Sequence, residues 1–277
     1  MREFKSFYKT VGGNEGNLCH CPTRLDTYGT GCGHNCSYCY ARSLLEFRGM
    51  WHPQDPAVAD LNKIRRKLNN VSRETILRLG GMTDCFQPCE REQGVTYETI
   101  KMLNERGIGY LIVTKSALVA DDKYIDVMDK DLAHIQITLT ATDDKFLSGV
   151  EYASPVADRI AAIEKLQANG FDVSIRLSPY VPEWVDTDVI NSIKCDKLLV
   201  EFLRSNGFIR KTFDIDYSDY TLTHKGYRHL PLDKKVKLLS PFVGHFQITV
   251  CDDVPDHYEY FKYNFNVNPN DCCNLRR

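Results

Sequence analysis

Three cysteines in one short loop are the residues best suited to chemistry. Cys32, Cys36 and Cys39 stand in the run GTGCGHNCSYCYAR with the spacing CxxxCxxC. Three thiolates can ligate three irons of a 4Fe-4S cubane, which leaves the fourth iron open to a substrate or cofactor. The same loop contains His34, so a zinc site with three thiolates and one imidazole is the alternative. The spacing therefore predicts a metal centre that holds either a cluster or zinc.

Bulk composition narrows the class of protein without naming a partner. The chain has 277 residues, 43% of them hydrophobic, and a formal charge of -2, so no overall basic excess points to nucleic acid. Its first ten residues lack the apolar core of a signal peptide, and no apolar run reaches the roughly 18 residues of a membrane span. We therefore expect a cytoplasmic protein with no membrane partner. In that compartment eleven cysteines indicate metal or redox chemistry rather than disulfides.

Short β-rich runs alternate with helical segments from residue 75 onward, which predicts an α/β fold with a parallel sheet. The predicted strands are Thr75–Gly81, Tyr110–Thr114, His134–Thr140, Asp172–Leu177, Lys197–Leu203 and His245–Val250. Helical spacing of apolar residues predicts helices at 40–50, 56–69, 95–106 and 155–169. The tail from Val254 to Arg277 shows little periodicity and is expected to be irregular. The cysteine loop lies in a segment, 13–39, without regular structure.

The cysteine loop and five later segments resemble the radical S-adenosylmethionine (radical SAM) superfamily, in particular its spore-photoproduct-lyase-like branch. The loop has an aromatic residue, Tyr38, before its last cysteine and reads YCYAR. Similar segments follow in the order of the family, namely GGMTDCFQPCE, YLIVTKS, HIQITLTATD, VEYASPVADRI and DVSIRLSPYVPEWVD. The resemblance extends from about residue 20 to residue 187. These later segments favour an iron-sulfur cluster over zinc.

The resemblance implies a fold, cofactors and a reaction. The fold is a partial (β/α)6 barrel of the TIM type over residues 1–250, with the cluster loop after strand one and a carboxyl-terminal extension, 251–277, as a candidate for closing the site. The cofactors are a 4Fe-4S cluster and SAM, and the partner is an external one-electron reductant such as flavodoxin or ferredoxin. Reductive cleavage of SAM would release a 5'-deoxyadenosyl radical that abstracts hydrogen from a substrate.

Seven residues match positions that bind the cofactor in the family. They are Tyr38, Gly81, Thr83, Asp84, Lys115, Thr138 and Arg176. Asp84 would accept a hydrogen bond from the methionine amino group, or it could cap a helix. Lys115 would pair with the methionine carboxylate or the substrate, or it could be a solvated loop lysine. Thr138 and Arg176 could face into or out of the barrel, and Tyr38 could pack on the adenine or in the core.

One departure from the branch concerns the end of the reaction. The lyase that names the branch returns a hydrogen atom to its product from a cysteine, and this sequence has Met82 at that position. A thioether has no such hydrogen to give, so Met82 argues against photoproduct repair. Cys85 is close by in sequence and is a candidate hydrogen donor, with a small core residue as the alternative.

Cysteines near the end of the chain form a second candidate metal site. Cys272 and Cys273 are adjacent, and Cys251 precedes them in TVCDD. With Cys19 or Cys21 as a further ligand, these thiols could hold a second iron-sulfur cluster, whereas a buried reduced thiol pair is the alternative.

Three functions remain open from the sequence. The branch resemblance points to a radical enzyme that acts on a nucleic-acid base or nucleotide. A second cluster would suit a radical enzyme that modifies a peptide or protein. The third possibility is a metal-binding module without catalysis, which would hold metal but would not cleave SAM.

Overall fold

A computed structural model describes residues 4–9 and 23–275 of the protein, and its centre is an eight-stranded sheet. In order across the sheet the strands are β1 (Phe7–Lys9), β2 (Thr23–Leu25), β5 (Ile76–Leu79), β6 (Gly109–Thr114), β7 (Ala133–Leu139), β8 (Asp172–Tyr180), β9 (Lys197–Phe202) and β12 (Gln247–Val250). Strand β1 runs antiparallel to β2, and the other neighbouring pairs are parallel. Two small antiparallel ribbons join β3 (Tyr28–Gly29) to β4 (Ala57–Val58) and β10 (Leu222–His224) to β11 (Tyr227–His229).

Helices connect successive parallel strands, as parallel pairing requires. They are α1 (Tyr40–Phe47), α2 (Leu61–Leu68), α3 (Glu90–Gln93), α4 (Val95–Arg106), α5 (Asp122–Val127), α6 (Val156–Ala168), α7 (Thr187–Ser192), α8 (Ile209–Thr212) and α9 (Leu232–Leu239). A further helix, α10 (Pro255–Asn264), follows β12. Within residues 4–9 and 23–275, none of the helices combines the length and the apolar character needed to cross a membrane.

Strand β6 is buried on both faces, and its side chains alternate between two cores. Tyr110 and Ile112 belong to the large core, whereas Leu111 packs with Leu199 of β9 in a smaller one. Strands β7 and β8 separate β6 from β9 in the sheet, so this contact shows that the sheet is curved. The curvature gives the inner face of a partial barrel.

The predicted α/β class and all six predicted strands are confirmed within one to three residues at their ends. The family's strand one is β2, which has only three residues and no apolar run to reveal it. Helices 95–106 and 155–169 are confirmed as α4 and α6, and the two earlier ones are shorter than predicted. The tail was expected to be irregular, but it contains α10.

Helix α10 forms because the tail has a buried side that the sequence pattern did not reveal. Pro255 stands in its first turn, where the missing N–H costs no hydrogen bond. His257, Tyr258 and Phe261 are buried, and they carry the helix against the rest of the fold. The chain then turns back towards the amino ends of the strands, where Lys197 Nζ donates to the Asn274 carbonyl at 2.6 Å.

Candidate functional site

A cavity opens at the carboxyl ends of the parallel strands, where active sites of α/β barrels lie. The three loop cysteines and the seven predicted cofactor residues all line it: Cys32, Cys36, Cys39, Tyr38, Gly81, Thr83, Asp84, Lys115, Thr138 and Arg176. Five separate chain segments supply these ten residues. The fold therefore brings together in one cavity the positions that the sequence predicted.

The cysteine loop is braced by close backbone packing. A Cβ atom on Gly31 would lie 2.1 Å from the carbonyl oxygen of His52, so only glycine fits there. The Gly33 N–H donates to Gln87 Oε1 at 2.8 Å, which ties the loop to the segment after β5. Asn35 has a φ of 43°, a left-handed conformation that asparagine tolerates better than most residues. These contacts fix the backbone between the first two cysteines.

The loop thiols are shielded from water. Cys32 and Cys36 are each 8% exposed. Burial raises the pKa of Cys32, Cys36 and Cys39, so without a cation these thiols hold their protons. Metal binding would replace the protons, since thiolate is the form that ligates. Two buried thiols and the half-buried thiol of Cys39 face one cavity and provide three ligands, the donor set of a cubane with an open iron.

Asp84 links the cysteine loop to two strand ends. Its Oδ1 accepts the Thr114 hydroxyl at 2.8 Å, and its Oδ2 accepts the Lys115 N–H at 2.7 Å and lies 3.2 Å from His34 Nε2. Burial would raise the pKa of Asp84, but the neighbouring His34 ring and the backbone N–H donors hold it below its ordinary value. The next helix, α3, begins only at Glu90, so Asp84 is not a helix cap. It is a buried anion in the cavity wall.

Lys115 reaches across the cavity rather than into solvent. Its Nζ donates to Thr140 Oγ1 and to the Ser178 carbonyl, both at 3.0 Å, and lies 5.4 Å from the ring centre of Tyr38. Burial lowers the pKa of Lys115, and the nearby carboxylate of Glu151 opposes that effect. The placement excludes the solvated-lysine alternative and leaves the ammonium beside the cluster loop.

Glu151 is a buried carboxylate that the sequence did not single out. It accepts hydrogen bonds from Tyr38 and Arg159 and lies 3.9 Å from Cys36 Sγ. Burial would raise its pKa, but the positive charges of Lys115 and Arg159 lower it to about 2. The signal in the sequence was weak, since Glu151 is a lone acid in VEYASP. It anchors Tyr38, whose ring lines the cavity and packs edge-on against Phe213.

Arg176 faces into the barrel, which settles the orientation that the sequence left open. It donates to Gln136 Oε1 at 2.7 Å and forms an ion pair with Glu201. The Ser178 hydroxyl also donates to Glu201 at 2.8 Å. Burial lowers the pKa of Arg176, but the negative groups around it, with the Glu201 carboxylate foremost, raise the pKa overall. This pair forms a charged wall of the cavity.

Sequence comparison assigns the family. The model of the Radical SAM superfamily matches residues 27–195, which is more than half of the chain and includes the cysteine loop and strands β5 to β8. The chain belongs to the radical SAM superfamily. Radical SAM proteins bind a 4Fe-4S cluster and SAM and generally need an external reductant, so the family favours iron over zinc in the cysteine loop.

Two curated relatives are themselves uncharacterised proteins. One, from Methanocaldococcus jannaschii, is 26% identical over 167 residues, which cover 58% of this chain and 61% of the relative. Another, from Mycobacterium tuberculosis, is 27% identical over 168 residues, which cover 57% of this chain and 49% of the relative. The chain thus matches about half to three fifths of the length of these relatives.

Solved structures of radical SAM enzymes share the fold. A spore photoproduct lyase variant with bound AdoMet and dinucleoside spore photoproduct has a TM-score of 0.58 at 16% identity, over 90% of this chain and 77% of that one. Methylornithine synthase has a TM-score of 0.52 at 13% identity, over 82% and 64%. At these identities the likeness concerns the architecture, and it confirms the predicted barrel type.

Cys85 does not lie where a hydrogen donor would be needed. Its side chain is 1% exposed, packs in the large hydrophobic core and is not part of the cavity lining. Burial raises the pKa of its thiol well above the ordinary value. The radical SAM cavity presents Met82 instead. This placement favours the alternative, a small core residue, and the donor role of Cys85 stays a prediction.

The tail cysteines meet beside the cavity but are not part of its lining. Cys272 and Cys273 pack against Leu111 and Leu199 on the inner face of the sheet, with Cys251 beside them. Hydrogen bonds with Cys251 and Cys273 raise the pKa of Cys272 well above its ordinary value. Cys19 and Cys21 lie outside the described residues.

Neither set of three cysteines is arranged around a single ion. Among the residues that the structure describes, no group of three or more His, Cys, Asp or Glu side chains could hold a metal ion. Zinc needs its ligands around one ion, so this finding counts against the zinc alternative. It counts less against a cluster, because each thiolate of a cubane ligates a different iron. None of the described residues after 250 lines the cavity, and the role of 251–277 in closing the site stays a prediction.

Proposed function

We propose that this radical SAM protein reductively cleaves SAM and that the resulting 5'-deoxyadenosyl radical abstracts hydrogen from a nucleic-acid base or nucleotide. The single observation that supports cleavage is the cavity that unites the three loop thiols with Asp84 and Lys115. When bound and reduced by one electron, SAM would supply the 5'-deoxyadenosyl radical, with methionine as the other product. The substrate would lose one hydrogen atom to that radical.

The residues of this chain would bind and orient the reactants. Cys32, Cys36 and Cys39 would ligate three irons and leave the fourth open to the methionine group. Asp84 would accept a charge-assisted hydrogen bond from the methionine amino group, because its carboxylate is buried and ionised. Lys115, across the cavity, would pair with the methionine carboxylate. Buried walls would exclude water, which would otherwise compete for these polar contacts.

The border of the cavity carries aromatic rings next to a basic ribbon, which favours a substrate with a planar group and an anionic backbone. The guanidinium of Arg204 lines the cavity, pairs with Asp253 at 2.7 Å and lies 5.3 Å from the ring centres of both Tyr40 and Tyr227. The Ser205 N–H donates to the Arg228 carbonyl, so the β10–β11 ribbon stands next to this border. The exposed ribbon residues include Lys225 and Arg228, and residues 222–230 contain no Asp or Glu. A nucleic acid whose phosphates bind the basic side chains of the ribbon would have a base free to enter the cavity.

Cleavage and substrate class are tested together. Anaerobically reconstituted protein receives SAM, dithionite and one of three deuterated fractions, namely nucleic acid, peptide or small molecule. Deuterium should appear in 5'-deoxyadenosine with the nucleic-acid fraction, and Lys225→Glu with Arg228→Glu should lower that transfer. The double variant should still cleave SAM without substrate. If the parent forms no 5'-deoxyadenosine while Cys36→Ala keeps its full metal content, the protein is a metal-binding module instead.

Met82 restricts the outcome of the reaction. It lines the cavity at the place where a cysteine would return hydrogen to a repaired photoproduct, and a thioether cannot do so. The protein is therefore expected to leave spore photoproduct unrepaired, and assay with the dinucleoside lesion checks this directly.

The second candidate function is radical modification of a peptide or protein with the help of a second cluster. It is favoured by the meeting of Cys251, Cys272 and Cys273 on the inner face of the barrel. Deuterium transfer from the peptide fraction, rather than from nucleic acid, would select this function.

A further inference from the structure

Three apolar side chains stand exposed just after the cysteine loop. Leu44 is 41% exposed, Phe47 is 91% exposed and Met50 is 44% exposed. Leu44 and Phe47 are three residues apart in α1 and share one face of the helix. Phenylalanine is seldom left this open to water, and exposed apolar clusters commonly mark interaction surfaces. These three residues are called the α1 patch below.

The backbone holds the α1 patch in a fixed shape. Helix α1 ends where the Gly49 N–H donates to the Glu46 carbonyl at 3.0 Å and the Met50 N–H donates to the Leu45 carbonyl at 2.8 Å. This turn needs the φ of 65° at Gly49, which glycine adopts without strain. Met50 is thereby placed at the end of the helix that carries Phe47, so the patch exists before any partner binds.

The α1 patch is also attached directly to the cysteine loop. The Trp51 Nε1–H donates to Asn35 Oδ1 at 3.0 Å, and the His52 N–H donates to the Thr30 carbonyl at 2.7 Å. Cys39 caps α1, and its sulfur accepts the Arg42 N–H. Phe47 follows Cys39 by eight residues, about 12 Å along a helix. A protein bound to the α1 patch would therefore lie close to Cys39, one of the proposed cluster ligands.

The segment that carries the α1 patch has a net positive charge in a chain that is negative overall. Residues 27–53 contain one carboxylate, Glu46, and two basic side chains, Arg42 and Arg48. Glu46 pairs with Arg42 at 2.8 Å, so the exposed guanidinium of Arg48 is left to set the local charge beside Phe47. An approaching protein with an acidic surface would be attracted and oriented by this charge.

We propose that the α1 patch is the docking site for the one-electron donor of this enzyme, a small acidic protein of the flavodoxin or ferredoxin type. The inference rests on the reductive cleavage proposed above, in which the donor loses one electron and the cluster gains it. Electron transfer slows steeply with distance, which favours a docking site beside the cluster loop. Electron-transfer partners bury little surface, so a patch of three apolar residues with a basic neighbour is large enough for such an interface.

The test separates docking from chemistry by changing the reductant. Holoenzyme and its Phe47→Glu variant receive SAM with either dithionite or reduced flavodoxin, and the assay is repeated with reduced ferredoxin. Phe47→Glu is expected to raise the KM for the protein donor about tenfold. The rate with dithionite should stay the same, because a small reductant needs no docking surface. Arg48→Glu should raise the same KM and flatten its dependence on salt.

A matched control and a binding measurement complete the test. Tyr263→Glu changes an aromatic residue that is 67% exposed on α10, and it should behave as the parent does. Surface plasmon resonance with flavodoxin or ferredoxin should show weaker binding for Phe47→Glu, independently of turnover.

Three results would overturn the proposal. They are a parent that accepts electrons from neither protein donor, equal KM values for Phe47→Glu and the parent, and an equal loss in Tyr263→Glu. A changed oligomeric state of Phe47→Glu with an unchanged donor KM would assign the patch to a second copy of the chain. If dithionite yields no 5'-deoxyadenosine from the parent, reductive cleavage fails instead, and the binding measurement still decides the docking site.

Discussion

The Nε2 atom of His34 lies 3.2 Å from Oδ2 of Asp84, so a residue inside the cysteine loop contacts the carboxylate that follows β5. The same carboxylate accepts hydrogen bonds from Thr114 and from the Lys115 N–H at the end of β6. One buried anion therefore connects the cluster loop to two neighbouring strands. The connection gives Asp84 a positioning role in addition to any contact with SAM.

Asp84→Asn is expected to loosen the cluster loop. The amide has no charge to attract His34 and only one acceptor oxygen for the donors around it, so the free energy of unfolding should fall by about 2 kcal/mol. Iron bound after reconstitution should also fall, as measured by iron content per chain and thermal unfolding. Asp122→Asn is the control, since that side chain is 86% exposed. Full iron content with unchanged stability in Asp84→Asn would contradict the positioning role.

Glu151→Gln should change how stability depends on pH. The pKa of Glu151 is about 2 in the fold, below its ordinary value of 4.5, so the ionised carboxylate stabilises the protein above pH 4.5. That contribution is lost as pH falls from 4.5 towards 2. At pH 7 the variant should be less stable by about 3 kcal/mol, because Arg159 and Lys115 lose their buried partner.

The comparison of urea unfolding at several pH values tests this assignment. The gap in stability between the parent and Glu151→Gln should narrow as the pH is lowered towards 2. Glu98→Gln should match the parent throughout, because the pair of Glu98 with Lys101 lies on the surface and is exposed to water. A gap that stays constant from pH 7 to pH 3 would show that folding does not lower the pKa of Glu151.

The sequence predicted what depends on continuous local patterns. Strands β6 and β9 are apolar runs, and the cysteine spacing is read directly from the chain, so both could be predicted. Glu151 could not, because its partners Tyr38 and Lys115 come from other parts of the chain. The prediction that Cys85 donates hydrogen met the same limit, since the direction of a side chain depends on distant parts of the chain. Its closeness to Asp84 in sequence suggested the cavity, but the chain turns and directs it into the core.

Gly31→Ala is expected to disrupt the cluster loop through packing alone. The added Cβ would lie 2.1 Å from the His52 carbonyl oxygen, a backbone atom that cannot move away without displacing the segment attached to the loop. Iron content and iron-sulfur absorbance should drop severalfold. Gly207→Ala is the matched control, since no atom lies within 4 Å of its added Cβ. Normal iron loading of Gly31→Ala would show that the loop adopts another conformation when the cluster binds.

The tail thiols allow a direct test for a second cluster. If Cys251, Cys272 and Cys273 ligate iron, the triple alanine variant of Cys32, Cys36 and Cys39 should keep part of its iron and of its iron-sulfur absorbance after reconstitution. The converse triple variant, with alanine at the three tail positions, should keep the first cluster and still cleave SAM.

Each outcome for the tail thiols has a structural reason. Cys272 hydrogen bonds with both neighbouring thiols, so a cluster must replace those bonds and separate the sulfurs to reach different irons. The triple variant of the loop cysteines would then retain part of its iron-sulfur absorbance. A variant with alanine at all six cysteines would lose that absorbance. Complete loss of iron from the loop variant alone would mean that the tail thiols only pack against Leu111 and Leu199, where three small side chains fill the inner face of the barrel.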